Sequence, residues 1–175
     1  MVWGMPYPVP IPGSAPARLI EAAIRRFESE GRDAVNVTDV ARDAGVTTGS
    51  LYHHFGSKEG LYVVIREEME RRMTERMEGA AAAVGSTGRA AVVTSLLVAF
   101  DAALRFGVAR ILSEPALDPE SDAISLAIRP LLPPEGAGAA PALAGAWRGA
   151  LGAVAEGLTA GSARDGLHWA LGGEV

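Results

Sequence analysis

The 175-residue sequence contains no cysteine, which excludes disulfide bonds, thiol catalysis and cysteine-ligated zinc or iron–sulfur sites. Lysine is nearly absent as well, because Lys58 is the only one and every other cation is an arginine. The net charge is −5. This charge argues against a nucleic-acid-binding protein, since nucleic-acid-binding domains usually carry a basic face. A chain of this composition would therefore bind DNA only through a local arrangement of charge.

A long uninterrupted apolar run is also missing. The most apolar region, residues 137–155, is mostly Ala and Gly and contains Arg148, so it is a poor membrane span. The N-terminus lacks the basic region followed by an apolar one that marks a secretory signal peptide. These absences predict a cytoplasmic protein. The length, with nearly half of the residues apolar, predicts one domain or two small ones sharing a core.

Histidine is scarce, and two of the three histidines, His53 and His54, are adjacent. Neighbouring residues on a helix point about 100° apart, so these two side chains do not converge on one metal ion. The HExxH spacing, a Ser/His/Asp arrangement and a phosphate-binding glycine loop are all missing from the sequence. We therefore expect no metal site, no cofactor and no enzymatic activity.

Helical periodicity dominates the chain after a proline-rich start. Residues 1–16 contain five prolines, which disfavours a helix or a central strand, so we expect a flexible tail there. No segment alternates apolar and polar residues like a strand, which predicts an all-α fold. The main predicted helices are a first helix from Ala17 to the stop at Gly31, a short helix after Asn36, and Thr48–Phe55, 57–84, Arg89–Phe106, Ala123–Ile128, Ala140–Ala160 and Ser162–Leu171.

The region of residues 36–62 has the layout of a DNA-binding motif. Asn36 and Thr47 are suited to begin helices, because their side-chain oxygens can accept hydrogen bonds from the free N–H groups of the first turn. Gly45 lies in the short turn between the two helices. A short helix, a turn of three or four residues containing Gly, and a second short helix together predict a helix-turn-helix.

The sequence of this region, NVTDVARDAGVTTGSLYHHFGSKEGLY, resembles the DNA-binding signature of the TetR family of bacterial transcriptional regulators. The matching positions are Val40-Ala41, Ala44-Gly45-Val46, Gly49, Leu51-Tyr52, His54-Phe55, Ser57-Lys58-Glu59 and Leu61. The resemblance covers about Arg18–Met69. It implies an N-terminal three-helix DNA-binding domain over 17–62, a linking fourth helix over 57–84, and a helical effector-binding and dimerisation domain over 63–175.

The resemblance also implies roles for individual residues. Thr47 would cap the recognition helix, while Tyr52 and His54 would contact the sugar-phosphate backbone and Lys58 would pair with a phosphate. Thr38 would meet the backbone or a base edge. The complete set of DNA-contacting residues implied in this way is Asn36, Thr38, Thr47, Thr48, Gly49, Ser50, Tyr52, His53, His54 and Lys58.

The function implied is that of a ligand-responsive repressor, released from an inverted-repeat operator on double-stranded DNA by a small molecule. Thr48 and Gly56 depart from the family, which often has Lys or Arg at these positions, so weak phosphate affinity is expected. These departures leave an alternative open: a dimeric helical ligand-binding or scaffold protein that has lost specific operator binding. Salt-dependent DNA binding distinguishes the two functions.

The C-terminal half offers candidates for an effector wall and for a dimer surface. A single helix-turn-helix offers too few base contacts for specific binding, which predicts a homodimer. Its predicted surface is Ala140–Ala160 with Ser162–Leu171, where Gly145 and Gly149 would let a partner helix approach closely. The alternative is that these glycines face the core of their own subunit. The apolar wall candidates, each equally compatible with a plain core position, are Leu97, Phe100, Leu104, Ile124, Ile128 and Trp147. The polar candidates beside them are Asp101 and Arg105. This set favours an apolar or aromatic effector.

Overall fold

The structure, a computed structural model, describes residues 10–85 and 87–172, and these residues form helices joined by turns, with no strand among them. The predicted tail lies mostly outside the described residues. The α-helices are α1 (Ala15–Glu30), α2 (Val37–Asp43), α3 (Thr48–Phe55), α4 (Lys58–Ala83), α5 (Arg89–Phe106), α6 (Ala109–Ser113), α7 (Ala123–Ile128), α8 (Ala140–Ala155) and α9 (Ala160–Ala170). Short 3-10 helices occupy Pro119–Ser121, Arg129–Leu131 and Pro134–Ala139.

The chain divides into two compact units within α4, between Glu67 and Glu68. In the first unit, α1, α2 and α3 pack against one another. The periodic apolar residues of these helices form its core, together with those of the first turns of α4. The rings of Phe27 and Tyr62 meet edge to face with their centroids 5.1 Å apart, a favoured aromatic geometry. In α1 the buried residues are Leu19, Ala22, Ala23 and Phe27, whereas Ile20 and Ile24 are only half-buried.

The second unit is organised around α8, which packs against α5, α6, α7 and α9. Its core consists of large side chains from several helices, among them Met73, Met77, Leu96, Phe100, Ile124, Ile128, Trp147 and Leu151. The Ser95 hydroxyl, buried with them, donates to the Met77 carbonyl at 2.9 Å. This bond satisfies the one polar group that α5 buries against α4.

Helix ends differ from the predictions at three places. Helix α1 begins at Ala15 rather than Ala17, because Pro16 fits the first turn of a helix, where no N–H is needed. Helix α8 ends at Ala155 rather than Ala160, and the chain turns at Gly157 with a φ of 107°. The next helix begins at Ala160 rather than at Ser162, because the Thr159 hydroxyl caps it by accepting from the Ser162 N–H at 3.2 Å. Leu158 is consequently exposed between the helices.

Two further expectations were wrong. The run of charged residues on the long helix predicts a solvated face that includes Arg66 and Glu70, but Arg66 is fully buried and the Glu70 side chain is only 13% exposed. A charge pattern on one helix cannot show which of its charged residues another helix will cover. The five-residue helix α6 also escaped prediction, because so short a segment shows no periodicity.

None of the helices in the described ranges is both long enough and apolar enough to cross a membrane.

Candidate nucleic-acid interface

The geometry of α2, the turn and α3 follows from two side-chain caps. The Asn36 side-chain oxygen accepts from the Thr38 N–H at 2.8 Å and begins α2. The Thr47 hydroxyl accepts from the Ser50 N–H at 3.2 Å and begins α3. Each cap satisfies an N–H group that the helix itself leaves without a partner. The capping roles predicted for both residues are confirmed.

The turn between these helices is held by the backbone and by one arginine. Gly45 has a φ of 65°, in the left-handed region that glycine adopts without strain. The Val46 N–H donates to the Ala41 carbonyl at 3.0 Å and closes the end of α2. Arg18, on α1, donates from its Nε to the Ala44 carbonyl at 2.9 Å. Nothing in the sequence of the motif signals this role of Arg18, because the two residues lie 26 positions apart in the chain.

Helix α3 presents one polar face and one buried face. Leu51 and Phe55, which lie four residues apart and therefore on one side of the helix, are buried. The Tyr52 side chain is half exposed, and its hydroxyl has no hydrogen-bond partner in the part of the chain that the structure describes. The other predicted DNA-contacting residues of the motif are all exposed or half-buried: Asn36, Thr38, Thr47, Thr48, Gly49, Ser50, His53 and His54. The structure thus brings the predicted contact residues onto one accessible motif.

Lys58, the first residue of α4, is already engaged with the protein. Its ammonium donates to the Arg32 carbonyl at 3.1 Å and to the Asp33 carbonyl at 3.2 Å. An ammonium carries three N–H donors, so one donor remains for a phosphate. These bonds hold the positive charge against the loop between α1 and α2. The Arg32 guanidinium stacks over the Tyr62 ring, 4.7 Å from its centroid.

Two other cations of the first unit, Arg26 and Arg42, are neutralised by carboxylates. The Arg26 guanidinium contacts Asp43 and Glu30, both at 2.7 Å. The hydrogen bond from Arg26 holds the pKa of Asp43 below its usual range, so this carboxylate stays ionised at neutral pH. Arg42, on α2, pairs with Asp39 at 2.6 Å. The motif therefore offers little unpaired positive charge.

The two adjacent histidines do not build a metal centre with carboxylates. Their ring centroids lie 5.0 Å apart with the planes at 68°. Within 10–85 and 87–172, no three side chains of His, Asp or Glu stand close enough together to hold a metal ion. The motif's chemistry is thus that of hydroxyls, imidazoles and backbone N–H groups on a helix surface.

The predicted effector wall is scattered between core and surface. Phe100, Ile124, Ile128 and Trp147 are fully buried and Leu97 nearly so, while Leu104 is half-buried and Arg105 is exposed. Asp101 pairs with Arg164 of α9 at 3.0 Å. The Trp147 indole N–H is buried and has no hydrogen-bond partner among the described residues. The eight-residue wall stays a prediction.

A cavity of about 580 Å³ lies elsewhere in the second unit, and none of those eight residues borders it. It opens beside the N-terminal end of α5. The residues lining it are Thr87, Gly88, Arg89, Val92, Val93, Leu131, Leu132, Pro133, Pro134, Leu143 and Leu171.

The helix-turn-helix region is similar in sequence to known regulatory proteins. The profile of the family described as bacterial regulatory proteins, tetR family, matches residues 19–65. The transcriptional repressor KstR2 from Mycolicibacterium smegmatis is 46% identical over 48 residues, which are 27% of this chain and 23% of that repressor. The repressor AcnR from Corynebacterium glutamicum is 31% identical over 64 residues, 37% of this chain and 34% of its own length. The matched stretch thus spans between about a quarter and a third of the length of these relatives.

Solved structures match nearly the whole chain. A TetR-like transcriptional regulator from Rhodococcus sp. RHA1 has a TM-score of 0.67 at 20% identity, covering 95% of this chain and 100% of that one. A tetR family transcription regulator from Shewanella sp. PV-4 has a TM-score of 0.64 at 19% identity, covering 90% of this chain and 96% of that one. At such identities the likeness shows the fold of both units.

Proposed function

We propose that this chain, a member of the TetR family of bacterial regulatory proteins through its residues 19–65, is a ligand-responsive DNA-binding transcriptional regulator, acting as a repressor. The observation that carries the proposal is the capped α2–turn–α3 motif, whose polar face is accessible. The N-terminal residues of α3 would enter the major groove, and its hydroxyls and Tyr52 would contact the backbone. We place this activity in the cytoplasm, where the operator DNA is.

A single helix-turn-helix makes few base contacts, so we propose that two copies of the chain read the two halves of an inverted repeat. A small molecule bound in the second unit would favour a conformation whose two recognition helices no longer match the spacing of the half-sites. Gly145 and Gly149 are exposed on α8, with open space where a side chain would lie. Their exposure supports a partner helix on this face and contradicts the alternative that they face the subunit's own core.

The direct test is selection of bound sequences from random double-stranded DNA by the full chain. We expect an enriched palindrome whose half-sites lie about one helical turn apart. Affinity for it should fall steeply with added salt, because neutralised phosphates release counterions. Recovery of no enriched sequence would contradict the proposed function.

A second function is favoured by one observation, the shortage of unpaired cations around α3. Arg26 and Arg42 are paired with carboxylates, and Lys58 donates to two carbonyls. A helical dimer that binds a ligand without reading DNA would show the same features. DNA binding that is weak and nearly independent of salt would support this alternative.

Replacing Lys58 with alanine should weaken binding to all DNA sequences alike. The slope of log affinity against log salt concentration should lose about one unit in magnitude, the share of one phosphate contact. Fluorescence anisotropy over a salt series measures this slope. Lys58→Arg keeps the charge and should keep the slope, so it serves as the control. A lower melting temperature with an unchanged slope would show that Lys58 only holds the loop at Arg32.

Replacing Tyr52 with phenylalanine should lower operator affinity by about tenfold, the expected loss for a hydrogen bond to a charged phosphate. The free energy of unfolding should change by less than about 0.5 kcal/mol, because the hydroxyl has no partner among the described residues. The matched control is Tyr62→Phe, since that buried hydroxyl lies 3.5 Å from Arg66. The free energy of unfolding of the Tyr62→Phe control should fall, because the substitution removes this buried hydroxyl. Unchanged operator affinity in Tyr52→Phe would remove Tyr52 from the contact set.

A further inference from the structure

The cavity beside the start of α5 has a wall suited to an apolar molecule. Its volume of about 580 Å³ falls within the range of about 300–1,000 Å³ that is typical of small-molecule sites. Aliphatic side chains from α5, the 3-10 helix Arg129–Leu131, α8 and the end of α9 supply most of this wall: Val92, Val93, Leu131, Leu132, Leu143 and Leu171. Such a wall offers few partners for the polar groups of a ligand, so most of the occupant must be apolar.

One cation stands at this wall. Arg89 is the only charged residue among the described residues that line the cavity, and within the described ranges its guanidinium makes no ion pair. The guanidinium lies against Gly172, where a side-chain carbon would collide with it. The absence of a side chain at Gly172 therefore leaves room for the guanidinium of Arg89, an exposed residue that lines the cavity. An anion bound there could pair with the Arg89 guanidinium, because no carboxylate in the described part of the chain forms an ion pair with it.

The wall is also held in place before any ligand binds. The Gly88 N–H donates to the Leu131 carbonyl at 2.7 Å, which joins the start of α5 to another lining segment of the cavity. Pro133 and Pro134, which also line it, have fixed φ angles. A preformed wall lowers the cost of ordering the protein when a ligand binds.

We propose that this cavity is the effector site and that its effector is an amphipathic monocarboxylate. The aliphatic part would lie against Val92, Leu131 and Leu143, and the carboxylate would pair with Arg89. A planar guanidinium binds a carboxylate through two parallel hydrogen bonds, so the charge selects an acid over a neutral molecule of equal length. The proposal rests on the ligand-responsive function above and places the effector away from the eight residues predicted from the sequence.

Isothermal titration calorimetry of the full chain with octanoate tests the site, with 1-octanol as the neutral molecule of equal chain length. We expect one octanoate per chain. Arg89→Gln should weaken octanoate binding about tenfold and leave octanol binding unchanged, because only the acid uses the charge. Val93→Trp should abolish binding of both, since its ring fills the cavity. The matched control is Arg129→Gln, which removes an exposed arginine of the same unit that does not line the cavity.

Several results would overturn the site. Octanoate binding that survives both Arg89→Gln and Val93→Trp would show that octanoate binds outside this cavity. Loss of octanoate binding in a Trp147 or Arg105 variant would assign the effector site to the wall predicted from the sequence. Binding only by a chain shortened to residue 172 would show that the chain's own last residues occupy the cavity. A Val93→Trp protein that changes from dimer to monomer would assign the cavity to a second copy.

A separate measurement distinguishes the site from the proposed function. Octanoate should release the wild-type chain from its selected operator, and Arg89→Gln should need about ten times more octanoate for the same release. A chain that binds its operator but not octanoate would overturn the site alone. A chain that binds octanoate through Arg89 but binds no DNA would overturn the regulatory function and the effector role together.

Discussion

Replacing Gly149 with leucine is expected to yield a folded monomer that has lost specific operator binding. Gly149 is exposed on α8, and a side-chain carbon there would meet nothing within 4 Å. Gly145 lies one turn earlier and is equally open. If the partner helix packs against these two glycines, an isobutyl group would hold the two backbones apart and remove the close contact on which the dimer depends.

The expected loss of operator binding is large, because one recognition helix alone reads only one half-site. Specific binding commonly exceeds non-specific binding by a factor of about 10³ or more, so a monomer should lose at least about a hundredfold in affinity for the palindrome. Sedimentation at micromolar concentration reports the oligomeric state, and circular dichroism reports the helical content. We expect monomers with helical content maintained.

The control for this substitution is Gly79→Leu on α4, which adds the same group at another exposed helical glycine with open space around it. Leucine is favoured over glycine in a helix interior by about 0.5–1 kcal/mol, so neither substitution should destabilise the free subunit. The control should remain dimeric and bind operator normally. A Gly149→Leu protein that is also dimeric, with unchanged operator affinity, would exclude this face as the interface.

Replacing Arg148 with methionine should lower the free energy of unfolding of the second unit by about 3–5 kcal/mol. The Arg148 side chain is 8% exposed and connects three elements. One terminal nitrogen contacts Asp122 at 2.5 Å and Glu70 at 3.6 Å, and the other donates to the Leu112 carbonyl at 3.2 Å. Methionine keeps much of the volume and removes the charge, so the buried carboxylate of Asp122 would lose its cation.

Thermal unfolding measures this effect, and a loss of this size lowers the melting temperature by about 10 °C in a chain of this length. The matched control is Arg164→Met, because the Arg164–Asp101 pair has side chains 42% and 41% exposed and should contribute less than about 1 kcal/mol. Adding Asp122→Asn to Arg148→Met should recover part of the loss, since it removes the stranded charge. If both arginine variants melt alike, the buried cluster contributes no more than a surface pair.

Arg148 also illustrates why the charged residues were the least predictable part of this chain. In the sequence it only interrupts an apolar segment, and Glu70 belongs to a long run of charged residues on α4. Their pairing depends on which helices lie side by side in the second unit. The same applies to Lys58, whose hydrogen bonds to the loop between α1 and α2 cross more than twenty residues of sequence. Periodicity carries no information on such contacts.

The sequence by itself determined the helix-turn-helix, because every signal for it is local. Asn36 and Thr47 begin helices with their own side chains, Gly45 permits the turn, and Leu51 and Phe55 repeat at helical spacing; the structure confirms each of these. Only the tertiary structure decided where α8 ends and which of its glycines are exposed. It also decided which arginines are buried, which are paired with carboxylates, and that Arg89 lines the cavity. The physical reason is that a cap or a turn depends on atoms a few residues apart, whereas a cavity or a buried ion pair depends on how several helices pack.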